Sequence, residues 1–287
     1  MKPFALSFHS LYCGVRPWWV RLTGRNLPGL GFCLRLLRKE FEFRVHGSTF
    51  VFDPRCAAAY GVLPSGLPNE PETTILLEYV TRAVASRVRF VDVGASIGEF
   101  AIMMAAMPNV SEVVAFEPSG TAAHAIERSA AANGFRHVVV VAKAVGDVPG
   151  TVRFEPCARS PGLSRTTTDP DSRGIAVACV TLDTTLEPCQ EPSILLIDTE
   201  GSELRVLRGG RTFIERERPL IIFEYNDVTR REFALKEAVD FLGTAYRVQT
   251  LCEGGRLDDD LSNTWNCVAV PAGTEFDAVC SMMRKGR

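Results

Sequence analysis

The sequence predicts a doubly wound α/β sheet preceded by an N-terminal appendage, and three observations support this prediction. Beyond residue 86, short apolar runs alternate with segments in which apolar residues recur at helical spacing. Those runs lack the strict alternation of a half-exposed strand, which is typical of parallel strands covered by helices on both faces. Hydrophobic residues make up 46% and charged residues 23% of the chain, a globular composition that excludes disorder as the dominant state.

The predicted elements follow in order along the chain. A short hairpin is expected about Gly47, where apolar residues alternate in FEFRVHGSTFVFDP. After the Pro/Gly-rich stretch GVLPSGLPNEP, Pro71 marks the start of a helix. The remaining predicted elements are the strand RFVDVG, the helix GEFAIMMAAM, the strand VVAFEP, the helix TAAHAIERSAAANG, the strand HVVVVAKAV, the strand PSILLIDTEG, the helix SELRVLRGG, the strand PLIIFEYN, the helix REFALKEAVDFLG, and the strands AYRVQTL and TWNCVAVPA.

Length and charge divide the 287 residues into a basic appendage with a hairpin, residues 1–70, and an α/β domain, residues 71–287. Residues 1–45 carry eight lysines and arginines against two glutamates, a net charge of +6, whereas the whole chain has a net charge of −2. Two interpretations fit this segment: a basic helical appendage packed on an acidic domain, or a contact with a membrane surface or an anionic partner. The segment is also a candidate for acceptor contacts and for the interface of a homo-oligomer.

Several classes of protein are disfavoured by the composition. The sequence pI of about 6.1 argues against a nucleic-acid-binding protein. No apolar run is long enough to span a bilayer, and residues 4–15 lack the flanks of a signal peptide. The nine cysteines and four histidines form no metal-binding or redox spacing, which favours reduced thiols. We therefore expect a cytoplasmic protein.

The turn after the first strand of the domain has the pattern of a ligand-binding loop. In VDVGASIGEF, Asp92 stands close to the end of the strand, and Gly94 and Gly98 allow a tight turn and close approach of a ligand. The glycines lack the dinucleotide spacing, and a carboxylate beside them would repel a pyrophosphate. Asp92 favours a ligand that carries an ammonium group, such as S-adenosylmethionine (SAM), although it also fits a capping role at a plain strand–helix turn.

Two more acidic residues follow the next predicted strands. Glu117 lies 23 residues after Gly94, where a carboxylate can accept hydrogen bonds from both hydroxyls of a ribose. Asp147 follows VVVVAKAV, and it fits two interpretations equally: an acceptor for an adenine amino group, or an ordinary turn residue.

The most distinctive stretch is LLIDTEGSELRVLRGG. Asp198 and Glu200 leave a buried strand together, which is costly unless the carboxylates are paired or used. They can bind substrate hydroxyls, take a proton or hold a metal ion; alternatively, Glu200 or Ser202 caps the following helix. Glu224 is a third catalytic candidate at the next strand end. Because the sequence supplies no full set of ligands, it predicts no metal site.

Residues 49–225 resemble the FkbM family of SAM-dependent methyltransferases in the order and spacing of FVDVGASIGEF, VVAFEPSGTAAHAIERSAAANG, VVVVAKAVGDVPGTVRF, VTLDTTL, LIDTEGSELRVLRGG and RPLIIFEYN. The resemblance implies a Rossmann-like class I sheet of seven strands whose last strand is antiparallel. It also implies methyl transfer from SAM, usually to a hydroxyl of a sugar, glycan or polyketide-type product. The residues that it assigns to SAM are Asp92, Gly94, Ala95, Ser96, Gly98 and Glu117. We expect Pro118 and Asp198 to contact SAM as well.

Three positions depart from the family pattern. Leu196 stands where a lysine is usual, two residues before Asp198, and Ser96 and Ser129 stand where asparagines are common. The loss of the lysine changes the electrostatic setting of Asp198. The catalytic residues predicted here are Glu200, as base or hydroxyl-orienting group, with Asp198 and Glu224 beside it.

The polar stretch EPCARSPGLSRTTTDPDSRG is expected either to cover the acceptor, with Arg159, Arg165 and Arg173 in contact with it, or to be a surface insertion. The main hypothesis is an O-methyltransferase acting on a small molecule or glycan. A nucleotide-dependent oxidoreductase and a noncatalytic SAM-binding module are the alternatives.

Overall fold

A computed structural model describes residues 40–56 except 46, residues 70–155, and residues 164–284 except 168, 170 and 171; before residue 40 it describes only Val15, Trp18 and Arg21. Most of the basic segment 1–45, and Arg159, therefore lie outside the described residues. Among the helices that are described, none is long and apolar enough to cross a membrane.

The core of the molecule is a mixed sheet of eight strands in the order β5-β4-β3-β10-β11-β14-β12-β13. Their bounds are β3 (Val88–Val93), β4 (Val110–Phe116), β5 (Val138–Val141), β10 (Ser193–Ile197), β11 (Leu220–Glu224), β12 (Tyr246–Cys252), β13 (Arg256–Asp258) and β14 (Asn266–Pro271). Strands β5, β4, β3, β10 and β11 are parallel, and β14 runs antiparallel between β11 and β12. The predicted doubly wound class is confirmed, and the three-residue β13 extends the expected seven strands at one edge.

Helices cover both faces of this sheet. Their bounds are α1 (Pro71–Ala83), α2 (Glu99–Ala105), α3 (Gly120–Asn133), α4 (Leu182–Thr185), α5 (Glu203–Gly209), α6 (Arg211–Glu217), α7 (Thr229–Glu232), α8 (Leu235–Leu242) and α9 (Glu275–Ser281). Alternate residues of β10 enter two separate apolar clusters, since Ile194 and Leu196 pack with α1, α2, α3 and α9, whereas Leu195 and Ile197 pack with α5, α6 and α8. Burial on both faces explains why the strands read as continuous apolar runs.

The predicted hairpin is confirmed as β1 (Phe41–Val45) and β2 (Ser48–Phe52), which pair antiparallel about Gly47. Phe50 and Phe52 are buried in the same apolar cluster as α3. The N–H of Val51 donates to Oγ of Ser129 at 3.0 Å, which gives this departure from the family pattern a structural role. The hairpin is thus built into the core, and residue 70 does not mark an edge of that core.

A second sheet of four strands lies beside the large one, in the order β6-β9-β7-β8. Its strands are β6 (Ala144–Val145), β7 (Gly150–Glu155), β8 (Arg165–Thr167) and β9 (Ile175–Val180). The prediction of one strand over HVVVVAKAV is therefore wrong, because the chain leaves the large sheet after Val141 and enters the small one at Ala144. The predicted helix REFALKEAVDFLG is likewise divided, since Phe233 has extended backbone angles between α7 and α8.

A buried ion pair anchors the start of β3. The guanidinium of Arg89 donates to Oε2 of Glu217 at 2.5 Å, to Oγ of Ser193 at 3.2 Å and to the carbonyl of Glu187 at 2.8 Å. The Arg89 and Glu217 side chains are only 2% and 4% exposed. This pair joins the central strand to the end of α6.

Replacing Arg89 by methionine will remove the cation at the buried Oε2 of Glu217, whereas Arg216 still contacts Oε1 at 2.9 Å. We therefore expect the free energy of unfolding to fall by about 3 kcal/mol, at the lower end of the range for a broken buried pair. The double variant Arg89→Met/Glu217→Gln, which removes both charges, should lose less. Urea denaturation followed by circular dichroism measures both. A single variant as stable as the wild type would contradict this account of the pair.

Candidate functional site

The loop between β3 and α2 lies against the end of β10. Gly94 has a φ of +92°, and a Cβ added there would lie 1.8 Å from the carbonyl oxygen of Asp198, so only glycine fits. The N–H groups of Gly94 and Ala95 both donate to the carbonyl of Phe116 at 3.0 Å. Gly98, with a φ of +84°, is the N-cap residue directly before α2. The predicted ligand-binding loop is therefore formed by backbone that lies so close to the end of β10 that no side chain fits at Gly94.

Glu117 follows β4 directly and fixes this loop from the other side. Its Oε2 accepts from the N–H of Ser96 at 2.8 Å, and its Oε1 accepts from the N–H of Ser119 at 2.7 Å. Pro118, between Glu117 and Ser119, is half-buried. Each carboxylate oxygen keeps a lone pair for another donor. Burial raises the pKa of Glu117 to about 7.

Asp92 lies within β3 and is 2% exposed. Its carboxyl accepts from the N–H of Ala101 in the first turn of α2, whereas its Oδ2 is buried without a hydrogen-bond partner among the described residues. Burial and then the charge of Glu117 raise the pKa of Asp92 to about 7. Asp92 thus both caps the first turn of α2 and leaves one oxygen, Oδ2, as an unsatisfied acceptor beside the loop.

Asp147 is not brought to this loop. It is exposed and follows β6 of the small sheet, and its Cα lies 3.3 Å from the point that a Cβ on Gly209 would occupy. Gly209 ends α5, whereas Asp198 precedes the start of that helix. The break after Val141 explains the displacement, and a contact of Asp147 with an adenine stays a prediction.

Three carboxylates gather beside the loop, at the ends of β10 and β11. One oxygen from each of Asp198, Glu200 and Glu224 lies within 4.8 Å of the others. We call these three residues the carboxylate cluster. Glu224 is 7% exposed, and its Oε2 is buried without a partner in the described part of the chain. The sequence-based prediction that these residues meet is consistent with this geometry.

Glu203, which the sequence analysis did not select, holds the backbone of the turn. It is fully buried, and its carboxylate accepts from the N–H of Thr199 at 3.0 Å and from the N–H of Gly201 at 3.0 Å. Neither Glu200 nor Ser202 caps α5, because Ser202 has no capping bond and its hydroxyl instead contacts that of Thr166 at 3.0 Å. Glu200 is therefore left available for a ligand.

Asn226 orients Glu200. Its Oδ1 accepts from the N–H groups of Val228 at 2.7 Å and Thr229 at 3.0 Å, which determines the orientation of the amide. Its Nδ2 consequently faces Glu200 and donates to Oε2 of that residue at 3.2 Å. Glu200 itself has a φ of +55°, an uncommon conformation for a residue other than glycine.

A further carboxylate that the sequence analysis missed approaches from a distant part of the chain. Glu70 precedes α1, and its Oε2 accepts from Thr73 at 2.7 Å and from Nδ2 of Asn266 at 2.6 Å. No spacing in the sequence signals this placement, because Glu70 reaches the site only through the packing of α1 beside β14.

The electrostatic setting of the cluster is strongly acidic. Burial raises the pKa of Glu200 to about 7 and that of Glu224 to about 8. Burial, followed by the charges of Glu224 and Glu70, raises the pKa of Asp198 well above its usual range. The charged groups that act most strongly on these three residues are all carboxylates, so the site is suited to a cation or to hydrogen-bond donors.

Comparisons with known proteins agree with this architecture. Residues 92–256 match the profile of the family described as Methyltransferase FkbM domain. No curated protein matches the chain.

Similar solved structures include an FkbM methyltransferase from Methylobacillus flagellatus KT, with 19% identity over 74% of this chain and 52% of that chain and a TM-score of 0.45, so that this chain spans about half the length of that relative. An rRNA methylase from Streptococcus thermophilus is 10% identical over 69% of this chain and 92% of that chain, with a TM-score of 0.40. TYW2 of M. jannaschii, in complex with AdoMet, is 13% identical over 80% and 84%, with a TM-score of 0.38. The family assignment depends on the profile match and not on these three structures.

The raised pKa of Glu117 makes stability depend on pH. The pKa of Glu117 is about 7 in the folded chain, above the ordinary value of 4.5, so the folded state binds this proton more tightly than the unfolded state does. The stability that the proton contributes is therefore present at low pH and is lost as the pH rises from 4.5 to about 7. We expect the melting temperature of the wild type to fall more than that of Glu117→Gln between about pH 5 and about pH 8. Glu112→Gln, the same change on the same strand, should keep the wild-type profile. Superimposable profiles for the wild type and Glu117→Gln would contradict the assignment.

Proposed function

This chain belongs to the FkbM methyltransferase family, and from that premise we propose that it transfers a methyl group to a hydroxyl oxygen of a sugar, a glycan or a secondary metabolite. Its cofactor is SAM. The observation that carries the choice of a hydroxyl acceptor is the carboxylate cluster, because carboxylates accept hydrogen bonds from hydroxyl groups and can remove their protons.

The residues of the loop fit SAM. Glu117 would hold the ribose hydroxyls through the lone pairs that its two backbone contacts leave free. The backbone at Gly94 and Ala95, which lies against the end of β10 at Asp198, would border the cofactor. The unpartnered Oδ2 of Asp92 supplies negative charge next to a cofactor that carries an ammonium and a sulfonium group.

When bound, SAM supplies an electrophilic methyl group: the acceptor oxygen bonds to the methyl carbon while the carbon–sulfur bond breaks and its electron pair goes to sulfur. The chain must align the acceptor and hold the proton that leaves the hydroxyl. We assign the proton to Glu200, because it is half-buried and so reachable, and because Asn226 fixes its carboxylate at 3.2 Å. Asp198 and Glu224 lie beside it and are suited to orienting the acceptor.

The position of the small sheet favours the interpretation that the polar stretch covers the acceptor. Thr166 of β8 contacts Ser202 at 3.0 Å, which brings the predicted covering stretch to the turn that carries Glu200. Arg165 bonds to Glu155 at 3.1 Å and Arg173 is exposed. We therefore propose that β8 borders the acceptor and contributes hydroxyl contacts through its threonines.

Glu117→Gln should weaken SAM binding by about tenfold to 100-fold, because one charged hydrogen-bond acceptor for the ribose is lost. Isothermal titration of the full chain with SAM and with its demethylated product measures the effect, and Glu112→Gln is the matched control. Heat with a nicotinamide cofactor and none with SAM would contradict the proposal and favour the oxidoreductase alternative.

Glu200→Gln should lower kcat by about 100-fold or more while the Kd for SAM stays unchanged, because the group that takes the proton is lost. The assay follows tritiated methyl transfer from SAM to neutral monosaccharides, amino sugars and polyhydroxylated macrolactones. Glu232→Gln removes a carboxylate near Gly201 outside the cluster and serves as the control. An undiminished rate for Glu200→Gln would refute the assignment of the base.

The same panel tests the remaining alternatives. Label on neutral sugars or macrolactones supports a hydroxyl acceptor, and label on amino sugars alone would contradict it. SAM binding with no transfer to any compound would favour a noncatalytic binding module.

A further inference from the structure

We propose that Asp198, Glu200 and Glu224 bind one divalent metal ion on the acceptor side of the site. This departs from the sequence-based expectation of no metal, because the fold shows one oxygen from each of the three carboxylates within 4.8 Å of the others. Binding of the ion is independent of the proposed function, whereas its role in methyl transfer rests on that function.

The spacing of the three carboxylates suits one ion. Their ligand oxygens all lie within 4.8 Å of one another. Two oxygens on the same ion are separated by at most twice the metal–oxygen distance, which is roughly 4 Å for Mg²⁺ and roughly 5 Å for Ca²⁺. The separations are thus in the range that a shared ion requires, and an inward movement of the side chains would bring all three oxygens to the metal–oxygen distances of Ca²⁺, Mg²⁺ or Mn²⁺.

A second observation points to a ligand here. Glu224 is more than nine-tenths buried, yet its Oε2 has no partner within the described chain. A buried, ionised carboxylate oxygen without a donor or a cation is strongly disfavoured, so Glu224 either keeps its proton or takes up a positively charged partner. The carboxylate of Glu224 reaches into the cluster, where an ion would provide that partner.

The surroundings of the cluster match those of a metal centre. The ligands are all carboxylate oxygens, which favours Mg²⁺, Mn²⁺ or Ca²⁺ over ions that prefer nitrogen or sulfur. Asn226 orients Glu200 through a hydrogen bond, and Glu203 holds the turn that carries it, in the way that outer residues support metal ligands. Glu70 adds a further negative charge to the neighbourhood of all three ligands.

The position of the ion indicates what it would do. The backbone of Asp198 is in contact with Gly94 of the loop between β3 and α2, so an ion on the Asp198 carboxylate would lie beside that loop. A metal ion lowers the pKa of an oxygen that it binds, which would ease removal of the acceptor proton by a carboxylate. An ion with open positions also favours acceptors with two adjacent oxygens, such as the vicinal diol of a sugar.

The test uses the full chain, treated with EDTA and dialysed, and titrated with Mn²⁺ while the electron paramagnetic resonance signal of free Mn²⁺ is recorded. We expect one ion per chain in the wild type. Glu224→Gln should weaken binding by about tenfold or more, since even the loss of an outer partner of a ligand has that effect. Glu117→Gln and the surface change Asp240→Asn should bind Mn²⁺ as the wild type does.

Thermal melts separate a metal ligand from a merely structural residue. Above about pH 8, where Glu224 is ionised, metal-free Glu224→Gln should melt no lower than the wild type, because a repelling charge is removed. It should also lose the increase in melting temperature that Mn²⁺ gives. Wild-type protein that leaves millimolar Mn²⁺ free, or Glu224→Gln that binds it equally well, overturns the proposal. Stabilisation by methylammonium instead of Mn²⁺ overturns it in favour of an ammonium site. Because SAM binding is measured separately, failure here leaves the proposed function to its own test.

Discussion

The site depends on the close approach of two adjacent strand ends in the large sheet. The N–H of Asp198 donates to the carbonyl of Val93 at 2.9 Å, and Gly94 lies so near the Asp198 carbonyl that no Cβ fits between them. This backbone contact determines the distance between the glycine loop and the carboxylate cluster. Because parallel strands end at one edge of the sheet, the two halves of the site are positioned by main chain rather than by flexible side chains.

Charge is treated differently at the two ends of the central strands. At the start of β3, the side chains of Arg89 and Glu217 are buried together, and each charge is paired with the other. At the opposite end, Glu224 retains an unpartnered oxygen, and the charged groups that act on it are other carboxylates. Such an arrangement lowers the stability of the ligand-free protein, and it is sustained by the packing and pairing elsewhere in the domain.

The sequence predicts the parts of the site that depend on strand ends and glycine turns. Asp92, Gly94, Glu117 and Asp198 follow from that logic, because apolar runs locate the strands and the parallel sheet aligns their ends. Glu203 and Asn226 also follow strand ends, but their roles, like that of Glu70, depend on side-chain contacts that exist only after folding. The run VVVVAKAV was misread because apolar character does not reveal which sheet a strand joins.

The small sheet shares no strand with the large one, yet its strand β8 touches the turn before α5 through Thr166 and Ser202. Insertions or substitutions in β7 and β8 can therefore reshape the mouth of the site without disturbing the hydrogen-bonded edge that holds the glycine loop. Acceptor selectivity and methyl-transfer chemistry can thereby evolve separately. The small sheet is free to change with the acceptor, whereas the edge of the large sheet is constrained by its main-chain contacts.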